Sequence, residues 1–176
     1  MLKKKLCQQL YRRFLQPEFS SNKFNVIGIG ADIVYVPRIK RLLSKNLEHA
    51  PLRFDKIARK FMHEQEIIKL RELISSPGPE NTLAYYVSGV WAVKEAIYKS
   101  MASEIPLQAL PPAQVLYTKL CYKTNDEQGR PHVEIDYRSM EGYADFISRH
   151  IKGTSFKVSI SHDRDYVMAF ICHVKN

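Results

Sequence analysis

Two acidic residues lie in surroundings that are unusual for surface carboxylates, and the first of them is Asp32. It interrupts an apolar run, Phe24 to Val36, that has the composition of a β-strand. A carboxylate buried in such a run must be paired or bound to a cation, because burying it alone is costly. A position at a sheet edge facing water is the alternative, so Asp32 becomes a candidate only together with other residues.

Glu95, the second, is four residues from Lys99 in a segment with helical periodicity, so the two share one helix face. Ala92 and Ala96 beside it are small enough to let another segment or a ligand approach. Magnesium takes one or two carboxylates and completes its shell with waters and substrate phosphates. Asp32 and Glu95 fit that count if the fold brings them together. An ordinary surface ion pair is the alternative for Glu95 and Lys99.

Ser161 and His162 form a third polar group, at the end of an apolar strand pattern. A histidine at a strand end, beside serines, can donate a hydrogen bond to a phosphate. A turn histidine without a ligand is the alternative. No nucleophile-elbow pattern accompanies the pair, which argues against a serine hydrolase of that kind.

A Gly-x-Gly pattern at Gly28 and Gly30 follows the start of the first strand. The same pattern opens the dinucleotide-binding loop, whose fingerprint has a third glycine. Ile33 stands at that third position and the strand character continues through it. We therefore exclude a dinucleotide-binding loop here.

The composition is that of a basic globular protein. The chain has 176 residues and a formal net charge of +9, with 45% hydrophobic and 26% charged residues. This excess favours anionic partners: phosphate-rich ligands, acidic proteins, nucleic acids or anionic membrane surfaces. No apolar run approaches the roughly 20 residues that cross a bilayer, so we predict no membrane span. The three cysteines lack C-x-x-C spacing and indicate neither a disulfide framework nor a zinc site.

Residues 1–22 form a basic N-terminal segment that we separate from the folded domain. It has several lysines and arginines, no acid before Glu18, and apolar residues near helical spacing. These features are typical of a mitochondrial transit segment, although this one is short and poor in serine. We predict mitochondrial localisation. A native basic helix on a cytoplasmic protein is the alternative.

Residues 23–176 are predicted to fold as a single α+β domain. Strands are expected at 24–36, 114–122, 132–137, 156–160 and 166–173, and helices after Pro37, in two pieces over 49–73, and over 81–103 and 143–151. The last four strands form two hairpins, and hairpins outnumber strand–helix–strand units. The pattern therefore favours a mainly antiparallel sheet packed against a long central helix.

Five segments, taken in order, resemble the holo-acyl-carrier-protein synthase family of 4'-phosphopantetheinyl transferases. The resemblance covers roughly residues 26–174 and rests on Ile27–Val34 with Arg38, Met62–Glu66, Trp91–Lys99, Gly129–Pro131 and Val158–His162. The order and spacing of G-x-D-I-V, W-A-x-K-E-A and S-I-S-H are highly specific. The basic N-terminus adds a similarity to the mitochondrial, fungal-type branch.

The resemblance implies a reaction and its catalytic residues. Coenzyme A would donate its 4'-phosphopantetheine group to a serine of an apo acyl carrier protein, leaving adenosine 3',5'-bisphosphate. Asp32 and Glu95 would hold Mg2+ against the pyrophosphate. Lys99 would neutralise phosphate charge and help deprotonate the serine through a water.

The resemblance also implies binding residues and an assembly. Substrate contacts are expected from a set of residues spread along the chain: Lys94, Gly129, Arg130, Pro131, Ser161 and His162. Family members of this length are typically homotrimers with the active site between subunits. Carrier proteins are usually acidic, so Arg38 and Arg41, on the helix after the first strand, are candidates for contacting one. A solvated basic face is the alternative.

Val90 is the departure that bears most on function, because the family usually has an arginine there. Its loss would remove one expected phosphate or ribose contact. A catalytically silent partner of a carrier protein is therefore one rival hypothesis. A basic nucleic-acid-binding module is the other, but the scattered tyrosines provide no stacking platform interleaved with Lys and Arg, so we predict no nucleic-acid partner.

Overall fold

The structure is a computed structural model, and it describes residues 25–47, 51–76 and 78–176. The basic segment 1–22 lies outside the described residues. The described residues form five strands and four longer helices, with shorter helical turns over 107–109, 113–120 and 138–151. The strands and longer helices are β1 Asn25–Tyr35, α1 Val36–Leu47, α2 Pro51–Ala58, α3 Glu64–Ser75, α4 Thr82–Ala102, β2 Cys121–Asn125, β3 Pro131–Ile135, β4 Thr154–Asp163 and β5 Tyr166–Lys175.

All strand pairing is antiparallel. One sheet has three strands in the order β1-β5-β4, and the hairpin β2–β3 forms a second sheet. Helix α4 packs on the inner face of the three-stranded sheet, where residues such as Val34, Ala169 and Ile171 are buried. The predicted α+β architecture is confirmed, as are the two hairpins and the long central helix.

The predicted strand over 114–122 is wrong in its first part. Residues Ala113–Val115 form a helical turn that continues as a π-helical turn, Leu116–Leu120, and β2 begins only at Cys121. Leu116 and Leu120 are buried and four residues apart, which is the spacing of one helix face. The apolar residues of this stretch therefore follow a helical period, although over so few residues their spacing also fits the alternation of a strand.

Gly28 and Gly30 let β1 lie directly against the backbone of α4. A Cβ at Gly30 would sit 2.0 Å from the carbonyl oxygen of Ala96, and one at Gly28 would sit 2.1 Å from that of Ser100. Both distances are too short for any side chain. The Gly-x-Gly pattern thus serves close packing of a strand on a helix, which is consistent with the exclusion of a dinucleotide loop.

Replacing Gly30 by alanine should destabilise the fold by about 2 kcal/mol or more, because overpacking forces the backbone of α4 away from β1. Gly89 offers a matched control, since it lies inside α4 and a Cβ added to it would have no neighbour within 4 Å. Gly89→Ala should stabilise by about 0.5–1 kcal/mol through helix propensity. Chemical denaturation of both variants checks the opposite signs, and equal effects would contradict the packing argument.

The far end of the three-stranded sheet contains a buried histidine. His173 stacks on Phe156 with ring centroids 4.5 Å apart, and its Nε2 lies 2.8 Å from the hydroxyl of Thr154. That hydroxyl donates to the carbonyl of Ile151, so it accepts a hydrogen bond from the Nε2–H of a neutral His173. Burial lowers the pKa of His173 from 6.5 to about 4.

Stability should therefore fall as the pH drops from 6.5 to about 4. In that window the unfolded chain takes up a proton at His173 that the folded chain does not. The cost should be about 3 kcal/mol. Comparing wild type with His173→Phe by thermal denaturation across this window isolates the contribution, because other titrating groups are common to both proteins. If the stability of the two proteins changes with pH in parallel, His173 makes no contribution to the pH dependence.

Candidate active site

Asp32 and Lys99 meet where β1 crosses α4. The Nζ of Lys99 lies 2.8 Å from Oδ1 of Asp32 and 3.1 Å from the carbonyl oxygen of Ala31. Asp32 is on the inner face of β1, two residues beyond Gly30, and its side chain is only 16% exposed. The backbone contact at Gly30 brings the two charges together.

Glu95 lies one turn before Lys99 on α4 and is held by a residue that the sequence did not single out. The hydroxyl of Tyr117 donates to Oε1 of Glu95 at 3.0 Å. Burial raises the pKa of Tyr117, and the negative charges of Glu95 and Asp32 raise it further. Since Lys99 binds Asp32 and lies one turn after Glu95 on α4, the fold brings Asp32, Glu95 and Lys99 into one cluster.

Each carboxylate of the cluster keeps one oxygen without a hydrogen-bond partner. Lys99 occupies Oδ1 of Asp32 and Tyr117 occupies Oε1 of Glu95, and within the described ranges nothing donates to Oδ2 or Oε2. The same ranges contain no group of three or more His, Cys, Asp or Glu that could hold a metal. A cation here would be bound by two carboxylates, with the remaining ligands supplied by solvent or substrate.

His162 lies on the same sheet face as Asp32, at the end of β4. It is in register with the buried Val167, which pairs with Val34 on β1, one inward-facing position beyond Asp32. With strands about 4.8 Å apart, the Cα atoms of Asp32 and His162 are separated by on the order of 10 Å. An extended anionic ligand could therefore contact both residues.

The turn after His162 is held at three points. The hydroxyl of Tyr85 donates to the carbonyl of Arg164 at 3.0 Å, and the Tyr85 ring lies 5.5 Å from the His162 ring. The backbone N–H of Val36 donates to the carbonyl of Asp165 at 2.7 Å. Helices α1 and α4 thus fix the turn, and with it the direction of His162.

Ser161 points to the opposite side of the sheet from His162, because successive side chains in a strand alternate. It is in register with Met168, which is exposed on the outer face. One chain therefore does not direct Ser161 and His162 at the same ligand.

Gly129 and Arg130 lie in the β2–β3 turn, and Pro131 is the first residue of β3. Gly129 has a φ of 80°, and the side chain of Arg130 binds Asp126 at 2.7 Å while remaining 70% exposed. No hydrogen bond or ion pair between described residues joins this turn to the Asp32 cluster. The two predicted parts of the substrate site are separate within one chain.

Lys94 is buried on the other side of α4 from the cluster. Its Nζ lies 3.0 Å from Oε2 of Glu66 and donates to the carbonyl of Cys121, and both charged side chains are at most 2% exposed. Glu66 also accepts from the backbone N–H groups of His63 and Lys123. The structure does not bring Lys94 to the other predicted substrate residues; it joins α4, α3 and β2.

Arg38 and Arg41 are both exposed on α1, and of the two only Arg38 lies over an aromatic ring among the residues that the structure describes. Its guanidinium lies 5.8 Å from the centre of the Trp91 ring, which packs on Phe61 at 4.8 Å.

Val90, which precedes Trp91 on α4, is fully buried and so offers no contact to a ligand.

The family is decided by a match to the whole of this core. The model of the 4'-phosphopantetheinyl transferase superfamily matches residues 28–171, from the first glycine of β1 to the middle of β5. The chain belongs to this superfamily.

Two curated members of the superfamily resemble the chain over most of its length. The mitochondrial holo-[acyl-carrier-protein] synthase of Eremothecium gossypii is 40% identical over 151 residues, which are 85% of this chain and 79% of that protein. That of Saccharomyces cerevisiae is 37% identical over 161 residues, 82% of this chain and 89% of that protein. The predicted fungal mitochondrial branch is confirmed.

A solved structure shows the same fold. The acyl carrier protein synthase of Plasmodium yoelii with ADP bound is 27% identical, with a TM-score of 0.57 over 88% of this chain and 99% of that one. No helix within the described parts of this superfamily member is long and apolar enough to cross a membrane.

Sequence reasoning missed two tyrosines that contact the predicted site residues. Tyr85 carried a signal, since it opens the same helix that carries Glu95. Tyr117 carried none, because its stretch is predicted to be a strand and its partner is 22 residues away in sequence.

Proposed function

We propose that this chain transfers the 4'-phosphopantetheine group of coenzyme A to a serine of an apo acyl carrier protein in the mitochondrion. The cluster of Asp32, Glu95 and Lys99 carries the proposal, because it combines two carboxylates with a lysine where β1 meets α4. The named function of the two yeast relatives supports it, and so does the bound ADP of the Plasmodium yoelii enzyme, since coenzyme A also contains an adenosine diphosphate unit.

The two carboxylates suit magnesium. They are hard oxygen donors on facing elements, and each retains a free oxygen, which matches an ion that keeps several waters and substrate phosphates. Asp32 and Glu95 would hold it, and bound there it would supply Lewis-acid polarisation of the pyrophosphate. We therefore expect the transfer to depend on magnesium.

The remaining residues of the cluster have distinct roles in the transfer. The serine oxygen attacks the phosphorus that carries pantetheine and passes its proton to a water beside Lys99, the bond to the bridging oxygen breaks, and adenosine 3',5'-bisphosphate leaves. Lys99 neutralises charge that develops on that leaving group. Its Nζ already lies beside Asp32, one of the two carboxylates that would hold the metal against the pyrophosphate. His162 donates to a phosphate at the nucleotide end.

A second copy of the chain completes the site. The outer face of the three-stranded sheet is apolar, with side chains 39–61% exposed at Ile29, Ile33, Tyr35, Tyr166, Met168 and Phe170. A contiguous apolar patch of this kind marks an interaction surface. Because Ser161 shares that face and the Gly129–Pro131 turn does not reach Asp32, a homotrimer built on this face unites the predicted substrate residues.

Arg38 and Arg41 meet the carrier protein in this proposal. Both are exposed on α1, which begins directly after β1 and so lies beside the cluster. A basic helix next to the reacting group attracts an acidic carrier and raises the association rate, an effect that weakens with salt.

Intact mass spectrometry of an apo acyl carrier protein tests the function. Incubation with this enzyme, coenzyme A and Mg2+ should add the mass of one phosphopantetheine group, and EDTA should prevent it. No gain with several apo carrier proteins, despite a folded enzyme and excess metal, would refute the proposal.

Sedimentation equilibrium tests the assembly. The wild type should sediment as a trimer. Ile33→Lys, which places a charge on the centre of the apolar face, should yield monomers that retain helical content but lose transfer. A wild-type monomer with full activity would exclude the shared site.

A further inference from the structure

We propose that Tyr117 is a positioning residue that holds the carboxylate of Glu95 in the orientation needed to share a divalent cation with Asp32. The inference rests on the proposed function and extends it to a residue outside the segments that carry the family resemblance. It starts from the hydrogen bond of 3.0 Å between the Tyr117 hydroxyl and Oε1 of Glu95.

Glu95 has no other hydrogen-bond partner among the described residues. A glutamate has three side-chain torsions, so its carboxylate samples many orientations unless something holds it. Asp32 is shorter, and Lys99 already holds it through Oδ1. The hydroxyl of Tyr117 does for Glu95 what the ammonium of Lys99 does for Asp32.

Tyr117 is itself well fixed. It lies in the π-helical turn Leu116–Leu120, whose flanking leucines are both buried, and its ring meets the edge of the Tyr98 ring at 6.1 Å. A tyrosine ring has only two torsions. The hydroxyl is therefore presented to α4 from a segment anchored independently of Glu95.

The bond leaves the coordinating capacity of Glu95 intact. Tyr117 occupies Oε1 and Oε2 stays free, just as Lys99 leaves Oδ2 of Asp32 free. Hydrogen bonds to ligating carboxylates typically change metal affinity by about 10–100-fold. The geometry thus predicts an effect on metal binding, with coenzyme A binding altered only through the metal.

The test is a direct measurement of Mn2+ binding to wild type and to Tyr117→Phe. The electron paramagnetic resonance signal of the free ion reports the amount that remains unbound. We expect the dissociation constant to rise about tenfold in Tyr117→Phe. Tyr86→Phe is a matched control, because the Tyr86 hydroxyl is also partly buried and donates at 2.9 Å, but to the backbone carbonyl of Glu66. That control should bind Mn2+ like wild type.

Metal rescue separates positioning from structure. The transfer rate of Tyr117→Phe should return towards the wild-type value as Mg2+ is raised, whereas the rate of Glu95→Ala should not. Wild-type Mn2+ affinity in folded Tyr117→Phe, or an equal loss in Tyr86→Phe, would overturn the role of Tyr117. The role would also be overturned if the wild type transfers phosphopantetheine but Glu95→Ala binds Mn2+ as tightly as the wild type does. A wild type without transferase activity would instead refute the proposed function, and the Mn2+ comparison still decides the contact.

Discussion

Glu95→Gln should lower the rate of phosphopantetheine transfer by about a thousandfold while leaving the fold intact. Glutamine retains an oxygen that accepts from Tyr117, so the contact that holds the side chain survives. What it lacks is the negative charge that draws a cation. Losing several kcal/mol of charge stabilisation in the transition state corresponds to a factor of about 10³.

Asp32→Asn should have a comparable effect, because its amide oxygen still accepts from Lys99 but carries no charge. Glu104→Gln is the matched control, since Glu104 is exposed just past the end of α4. Rates from mass spectrometry, with thermal midpoints measured alongside, distinguish chemistry from folding. Loss of activity in Glu104→Gln, or full activity in Glu95→Gln, would remove the carboxylates from the mechanism.

Lys94→Met should destabilise the folded chain by about 3–5 kcal/mol, the usual cost of removing one partner from a buried ion pair. Methionine has a similar length and fills the space, so the loss reflects the charge of Glu66 left without its partner. The pair joins α3 to α4, and through Cys121 it also joins β2.

Lys69→Met is the control for this variant, since it makes the same substitution in the exposed pair Lys69–Glu72, where both side chains are more than half exposed. That change should cost less than about 1 kcal/mol. Urea denaturation gives both numbers. Below its unfolding midpoint Lys94→Met should keep the wild-type Michaelis constant for coenzyme A. A large increase in that constant would instead support the substrate contact that the sequence predicted for Lys94.

The difference between Asp32 and Lys94 shows what a sequence motif can and cannot predict about the role of a charged residue. Both are charged residues in apolar segments, and the resemblance assigned Asp32 to the metal and Lys94 to the substrate. A motif records which residue types recur together, but a lysine that neutralises a phosphate and one that neutralises a buried glutamate look alike in it. Only the partner distinguishes them, and Glu66 is 28 positions away in a different helix.

The sequence by itself determined the family, the antiparallel α+β architecture, the long central helix and the carboxylates on β1 and α4. These follow from local periodicity and from short motifs in a specific order. The tertiary structure decided four further points: that Gly28 and Gly30 admit the backbone of α4, that Ser161 and His162 face opposite sides, that 113–120 is helical, and that Tyr117 holds Glu95. The first and last points depend on which surfaces meet across the fold, and contacts between distant segments leave no periodic trace in the chain. The other two depend on how far β4 extends and on a short stretch whose spacing fits both a helix and a strand.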